Sequence, residues 1–170
     1  FVFQDPYSSL NPRMSVKGII SEGIRLHRGL SNKTEIEDEI ANVLTTVGLD
    51  KDSMRKHPKE FSGGQRQRIA IARALAVEPK FLICDEPVSA LDMSIQAQIL
   101  NLLKMLKIEK NISMLFISHD LAVVHFLCDR AYVMKSGQIL EEGKVDQIFN
   151  SPRERYTQDL LSASLLVNEN

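Results

Sequence analysis

The sequence has 170 residues, which predicts one domain with room for a subdomain. Hydrophobic residues make up 44% and charged residues 25%, as in an ordinary globular protein. No apolar run approaches the ~20 residues that a membrane helix needs, so we expect any membrane role to come through a partner. The formal net charge of -1 gives no sign of nucleic-acid binding.

The first third of the chain is predicted to be mostly helical. Residues 1–4 indicate a short buried strand, and residues 5–12, which contain two X-Pro steps, indicate a loop. The apolar spacing from residue 15 to about residue 58 predicts a wholly α-helical subdomain. Within it, residues 34–37 are typical of a capping box, and Gly48 is the expected end of the second helix.

The rest of the chain alternates between helices and strands. Helices are predicted at about 63–77, 94–109, 120–128 and 153–167, and strands at 80–85, 113–118, 131–135 and 138–141. The strands are continuous apolar runs, which is typical of a parallel sheet with both faces covered. We therefore predict an α/β core over residues 59–150 and a helical tail over residues 151–170.

Residues 62–65 form the first candidate binding motif, at the start of a predicted helix. Ser62 is a good N-cap, and Gly63 and Gly64 allow a ligand to approach the backbone closely. A helix N-terminus carries partial positive charge and free N–H groups, which suit a phosphate. The alternative interpretation is an ordinary capped helix that follows a Gly-Gly turn.

Acidic residues follow the apolar strand at residues 81–84. Ligands of open α/β sheets bind at the carboxyl ends of strands, where Asp85 could hold Mg²⁺ through water. Glu86 could orient or deprotonate a water molecule. The alternative is a solvated acidic turn, and Asp92, six residues after Glu86, could equally be a helix cap.

Two further polar residues follow predicted strands. His119 comes directly after the strand at 113–118, so we expect it at the same sheet edge as Asp85 and Glu86. Gln4 follows the first strand and precedes the helical subdomain. Neither residue would indicate a site by itself.

In this order and at this spacing, the motifs resemble those of ATP-binding cassette (ABC) ATPases along essentially the whole chain. Residues 61–65 are similar to the signature motif, with Phe61 where Leu is usual. Residues 81–86 are similar to the Walker B motif with its catalytic glutamate, and residues 89–92, which end in Asp92, to the D-loop. His119 resembles the switch histidine, and Gln4 the glutamine of the Q-loop.

The resemblance implies an ATPase that works at a dimer interface. Glu86 and His119 are then catalytic, and Asp85 and Gln4 hold Mg²⁺, with water as an intermediary. Ser62, Gly63, Gly64 and Gln65 reach across to the γ-phosphate of ATP on a partner chain, and the D-loop residue Asp92 also serves the nucleotide.

Two other stretches narrow the resemblance to importers of oligopeptides, dipeptides or nickel. Residues 5–14 and 151–157 are similar to segments of those ATPases, although residues 153–155 depart from the pattern. Residues 84–92 are most like the F-type subunit. The implied partners are a second, homologous ATPase subunit and transmembrane permease subunits, at the cytoplasmic face of the cell membrane.

The sequence contains no Gly-x-x-x-x-Gly-Lys-Ser/Thr stretch, the P-loop (Walker A) that cradles the phosphates. The chain begins inside an apolar segment without Met, so we expect a cassette whose N-terminal part is missing and which is inactive alone. The alternatives are a non-enzymatic fragment, a soluble ABC protein, or the ATPase of a nickel importer.

Overall fold

The computed structural model describes residues 1–167, which form one compact unit over Phe1–Ile117 and a second that begins at Ser118. The helices of the first unit are α1 (Pro6–Ser9), α2 (Val16–Arg28), α3 (Lys33–Thr46), α4 (Gly63–Leu75) and α5 (Met93–Glu109), and its strands are β1 (Phe81–Asp85) and β2 (Ser113–Ile117). The second unit contains α6 (Leu121–Leu127), β3 (Arg130–Lys135), β4 (Gln138–Lys144), α7 (Val145–Asn150) and α8 (Arg155–Val167). Among these described helices, none combines the length and the apolar character needed to cross a membrane.

The sheet of the first unit is parallel, as predicted. Strands β1 and β2 pair in register from Phe81 opposite Ser113 to Asp85 opposite Ile117, with α5 as the crossover between them. On the other side of β1, Val2 forms a parallel bridge with Cys84. The predicted α/β fold with a parallel sheet is therefore confirmed, and both strands end at the same edge.

Two expectations about this sheet are wrong in detail. Residues 1–4 contribute a single bridging residue rather than a buried strand, because alternate side chains point to opposite faces and only Val2 points into the core. Within the described residues one face of the sheet also stays open, since Phe81, Leu115 and Ile117 are about half exposed. The apolar runs had predicted cover on both faces.

The helical subdomain is only partly α-helical. Helix α2 begins at its N-cap Ser15 and ends at Gly29, whose φ is +66°. Helix α3 is capped by Asn32 and not by the predicted capping box at residues 34–37, since Asn is among the strongest N-caps and starts the helix earlier. The helix ends just before Gly48, whose φ is +73°, and residues 51–60 form two 3₁₀ turns instead of the expected α-helix.

Aliphatic side chains from the four long helices build the core of the first unit. The fully buried large residues of these helices are Ile20, Ile24, Ile36, Ile40, Leu44, Ile69, Ile71, Ile99, Leu103 and Leu106. Within α2, α3 and α5 they recur three to four positions apart, and this periodicity is the basis on which α2 and α3 were predicted. The core therefore holds α4, whose first turn belongs to the candidate site.

The second unit is built on an antiparallel hairpin, so the prediction that all strands join one parallel sheet is wrong for β3 and β4. A two-residue turn joins them, with φ of +50° at Ser136 and +79° at Gly137, and such a turn imposes antiparallel pairing. The carboxylate of Glu141 accepts hydrogen bonds from the N–H groups of residues 153 and 154, which leads the chain into α8. The last three residues of the predicted tail, 168–170, lie outside the described residues.

Candidate functional site

The carboxyl end of β1 carries an unusual backbone conformation at Glu86. Its N–H donates to the carbonyl of Ile117 at 2.9 Å, which extends the β1–β2 ladder by one residue. Its φ is +44°, an uncommon value for a residue with a Cβ. The Glu86 carbonyl accepts from both the N–H (3.2 Å) and the hydroxyl (3.1 Å) of Ser89, so a tight turn holds this conformation.

Gln4 and Glu86 meet at this edge, although 82 positions separate them in the sequence. The Gln4 amide nitrogen donates to Glu86 Oε2 at 2.8 Å and lies 3.4 Å from the Ser89 hydroxyl. The parallel bridge between Val2 and Cys84 sets this meeting, because it aligns the first residues of the chain with β1. The family resemblance had placed Gln4 and Glu86 in one site, and a hydrogen bond joins them in the structure.

Ser89 is the residue of this cluster that the sequence analysis missed. It was noticed only as the first residue of a four-residue motif, whereas its hydroxyl donates to the Glu86 carbonyl and faces the Gln4 amide. Its position four residues after the end of β1 and within a turn is the signal that could have identified it, since serine hydroxyls often bond to the backbone of such turns.

Helix α4 starts with the predicted N-cap, Ser62, and with a second capping hydrogen bond from the same residue's N–H. The Ser62 hydroxyl accepts from the Gln65 N–H at 3.3 Å, and Gln65 Oε1 accepts from the Ser62 N–H at 3.0 Å, which completes a capping box. The Ser62 hydroxyl keeps its own proton for donation. The N–H groups of Gly63 and Gly64 have no carbonyl within the helix to reach, so they can donate to an anion.

The two glycines differ in what surrounds them. A Cβ added to Gly64 would lie 2.4 Å from Ile95 Cγ2, so this glycine is required where α4 packs against α5. A Cβ at Gly63 would lie 3.5 Å from a methyl carbon of Leu91, an ordinary contact. Gly64 thus serves packing within the chain, in addition to any close approach of a ligand.

Asp92 is the N-cap of α5. Its Oδ1 accepts from the Ile95 N–H at 3.0 Å and from the Ser94 hydroxyl at 2.8 Å. The Ile95 N–H first, and then the Ser94 hydroxyl, hold the pKa of this carboxyl below its ordinary value. The helix-cap interpretation therefore accounts for the contacts that Asp92 makes within the chain, and a contact with nucleotide stays a prediction.

Asp85 and His119 complete the set of predicted residues. Asp85 is the last residue of β1. His119 is exposed, belongs to the second unit, and follows the end of β2 by two residues. It lies between Ser118 and Asp120, whose N–H donates to the Ser118 hydroxyl at 3.0 Å. That His119 joins Asp85 and Glu86 at one site stays a prediction.

The donor groups at the edge fit a magnesium ion that keeps most of its waters. The Gln4 amide nitrogen donates to Glu86, so its amide oxygen can coordinate a metal ion. Asp85, which directly precedes Glu86 in the sequence, supplies a carboxylate. Magnesium prefers such oxygen ligands and often has only one or two from the protein. No group of three or more His, Cys, Asp or Glu suited to a metal occurs in the part of the chain that the structure describes.

Comparison with known proteins gives consistent matches. The ABC transporter family model matches residues 1–89, slightly more than half of the chain. The oligopeptide transport ATP-binding protein OppF of Streptococcus mutans is 53% identical over 162 residues, which cover 95% of this chain and 53% of that protein. The dipeptide transport ATP-binding protein DppF of Lactococcus lactis is 50% identical, over 95% of this chain and 52% of its own length. The chain thus spans about half the length of these relatives.

Two solved structures share the fold. One is cbiO1 of Clostridium perfringens, described as part of the ABC transporter complex cbiONQ, with a TM-score of 0.76 and 31% identity over 88% of this chain and 58% of that one. The other is the ATP-binding cassette MJ0796, a dimer in a post-hydrolysis state with ADP and Pi, with a TM-score of 0.71 and 30% identity over 85% and 62%.

Proposed function

This chain belongs to the ABC transporter family, and we propose that it is part of the ATP-hydrolysing subunit of an importer for oligopeptides or dipeptides. The relatives named for these two transport activities, at 53% and 50% identity, support the substrate class. The proposed subunit works at the cytoplasmic face of the membrane with transmembrane permease subunits and a second, homologous ATPase, and it has no nucleic-acid partner.

The observation that carries the catalytic proposal is the hydrogen bond of 2.8 Å between Gln4 and Glu86. The amide holds Oε2 and so restricts the orientation of the Glu86 carboxylate, the proposed base for a water molecule. The amide oxygen of Gln4 would bind the magnesium ion, while its amide nitrogen holds Glu86. Gln4 would therefore link the magnesium site to the orientation of the proposed base.

ATP and Mg²⁺ are the proposed ligands of the site. Magnesium, when bound, would supply positive charge that offsets the charge of the phosphate oxygens. Asp85 and Gln4 would hold it, in part through water, and His119 would donate to the γ-phosphate. The 170 residues contain no Walker A motif, so these groups form only part of the subunit's own nucleotide site.

The signature residues serve the other nucleotide of a dimer in this proposal. The first turn of α4 offers the Ser62 hydroxyl and the N–H groups of Gly63 and Gly64, with the Gln65 side chain beside them. These are donors to an anion, and the turn has no lysine and no acidic residue to hold magnesium. A phosphate presented by a second chain completes such a site.

The test is Glu86→Gln in the complete subunit. We expect ATP binding to persist, because the amide keeps the size of the carboxylate and one oxygen that can accept from Gln4. Steady-state phosphate release should fall by at least the ~10²-fold typical of removing a general base. Glu109→Gln, at the exposed end of α5, is the matched control and should leave the rate unchanged. Normal turnover in Glu86→Gln would assign the base to another residue.

A further inference from the structure

The short helix α1 connects Gln4 to the signature helix. It begins two residues after Gln4 and packs against α4. Two side chains of α4 hold it: the Arg66 guanidinium lies over the Tyr7 ring at 3.9 Å, and Arg73 Nη1 donates to the Ser9 carbonyl at 2.5 Å. Both contacts span about 60 positions of sequence, so they join two separate parts of the first unit.

Helix α1 is well fixed relative to Gln4. Asp5 caps it, with hydrogen bonds from the N–H groups of Tyr7 (2.8 Å) and Ser8 (3.3 Å), and Pro6 is buried at its first position. A single capped turn with a proline at its start has little freedom to bend. A displacement of Gln4 is therefore expected to move Tyr7 with it.

Arg66 also holds the segment that leads into the signature. Its Nε donates to the Pro58 carbonyl at 2.7 Å, and its Nη2 lies 3.3 Å from the Lys59 carbonyl. These carbonyls precede Ser62 by only three to four residues. The Arg66 guanidinium thus makes two kinds of contact. It contacts the Tyr7 ring, which is expected to move with Gln4, and it also contacts the backbone segment that leads to Ser62.

We propose that Tyr7 and Arg66 are positioning residues that couple the Gln4–Glu86 end of the subunit's own nucleotide site to the signature serine, Ser62, which serves the partner's site. This inference rests on the proposed function. The Tyr7–Arg66 stack transmits the position of α1 to the 58–61 segment, and Arg73 keeps α1 from sliding along α4. Loss of the stack leaves each half site intact and weakens their cooperation.

The ring of Tyr7, rather than its hydroxyl, is the part that the contact uses, since the guanidinium lies over the ring face. Tyr7→Phe is therefore the matched control for Tyr7→Ala. Tyr7 is 61% exposed, so truncating it removes little buried area and should not unfold the protein. Arg66→Lys keeps the positive charge but loses the forked contact with the two carbonyls.

The experiment measures ATP-driven dimerisation of the complete subunit with its homologous ATPase partner, with Glu86→Gln present to prevent turnover. Tyr7→Ala should raise the dimer dissociation constant roughly 3- to 30-fold, the range that removal of a coupling contact produces. Affinity for ATP in the monomer and the melting temperature should match the parent protein. Tyr7→Phe should behave as the parent, and Arg66→Lys should weaken dimerisation as Tyr7→Ala does.

Each contrary result has a definite meaning. A Tyr7→Ala dimer as tight as the parent, while Ser62→Arg still abolishes the dimer, overturns the coupling and leaves the proposed function intact. A Tyr7→Ala variant that also binds ATP more weakly as a monomer and melts at a lower temperature would show that Tyr7 has a purely structural role. That result also overturns the coupling. If Ser62→Arg forms the dimer normally, the proposed function fails and the coupling fails with it.

Discussion

Substituting alanine for Gly64 tests the finding that this glycine is required for helix packing. The new Cβ would lie 2.4 Å from Ile95 Cγ2, whereas carbon atoms pack best at about 3.5–4.0 Å. Ile95 is β-branched and stiff at χ1, so it cannot simply turn its methyl aside. Either Ile95 takes a strained rotamer or α4 and α5 separate.

The expected change in the free energy of unfolding combines two opposing contributions. Overpacking of this kind costs about 1–3 kcal/mol, and alanine in a helix regains about 0.5–1 kcal/mol relative to glycine. At the centres of these two ranges, Gly64→Ala should destabilise the protein by about 1.3 kcal/mol. Urea unfolding followed by circular dichroism should show a lower midpoint with an unchanged slope. Gly63→Ala, whose Cβ would lie 3.5 Å from Leu91, is the control and should not lower the midpoint.

A double-mutant cycle identifies the clash as the cause. Combining Gly64→Ala with Ile95→Ala removes the methyl group that the new Cβ would meet. The double variant should therefore lose about 1 kcal/mol less than the sum of the two single losses, a coupling typical of residues in contact. A midpoint for Gly64→Ala equal to that of the parent, or strictly additive losses, would refute the packing explanation.

Two further outcomes are expected. The 170-residue chain alone should release no measurable phosphate from ATP, since it has no Walker A motif, and turnover that Glu86→Gln abolishes would contradict this. Asp92→Ala should lower the urea midpoint at neutral pH, whereas Asp92→Asn keeps a capping oxygen and should lower it less. The pKa of Asp92 in the folded protein lies below the ordinary carboxyl value of about 3.9. The charged cap therefore stabilises the protein fully above about pH 3.9, and this contribution is lost as the pH falls through the folded pKa. The effect of Asp92→Ala should shrink correspondingly in acid, and a pH-independent difference would count against the cap.

Local signals in the sequence predicted the elements that carry the site. Helix α4 begins at Gly63 and β1 ends at Asp85, both as predicted, because a strong N-cap and an apolar run bounded by acidic residues are short-range features. The capping box of Ser62 and Gln65 was also legible in the Ser-x-x-Gln spacing, although it was not predicted.

The contacts of the site could not be predicted in the same way. The hydrogen bond between Gln4 and Glu86 depends on the pairing of Val2 with Cys84, and the sequence of either segment does not specify that register. The steric requirement for Gly64 likewise depends on how closely α5 approaches α4. The antiparallel hairpin was an avoidable error, because Ser136-Gly137 between two apolar runs is a recognised two-residue turn.

Dimerisation of a Ser62→Arg variant tests the central claim, that the signature completes a nucleotide site on a second chain. When the complete subunit with Glu86→Gln is mixed with its homologous ATPase partner and ATP, size-exclusion chromatography should show a dimer that Ser62→Arg abolishes. A bulky cation would then occupy the proposed docking place of the partner's γ-phosphate. ATP binding by the monomer should persist. Ser162→Arg, the same change at an exposed position of α8, should dimerise normally. A Ser62→Arg dimer as abundant as that of the control would show that the signature faces no nucleotide of a partner.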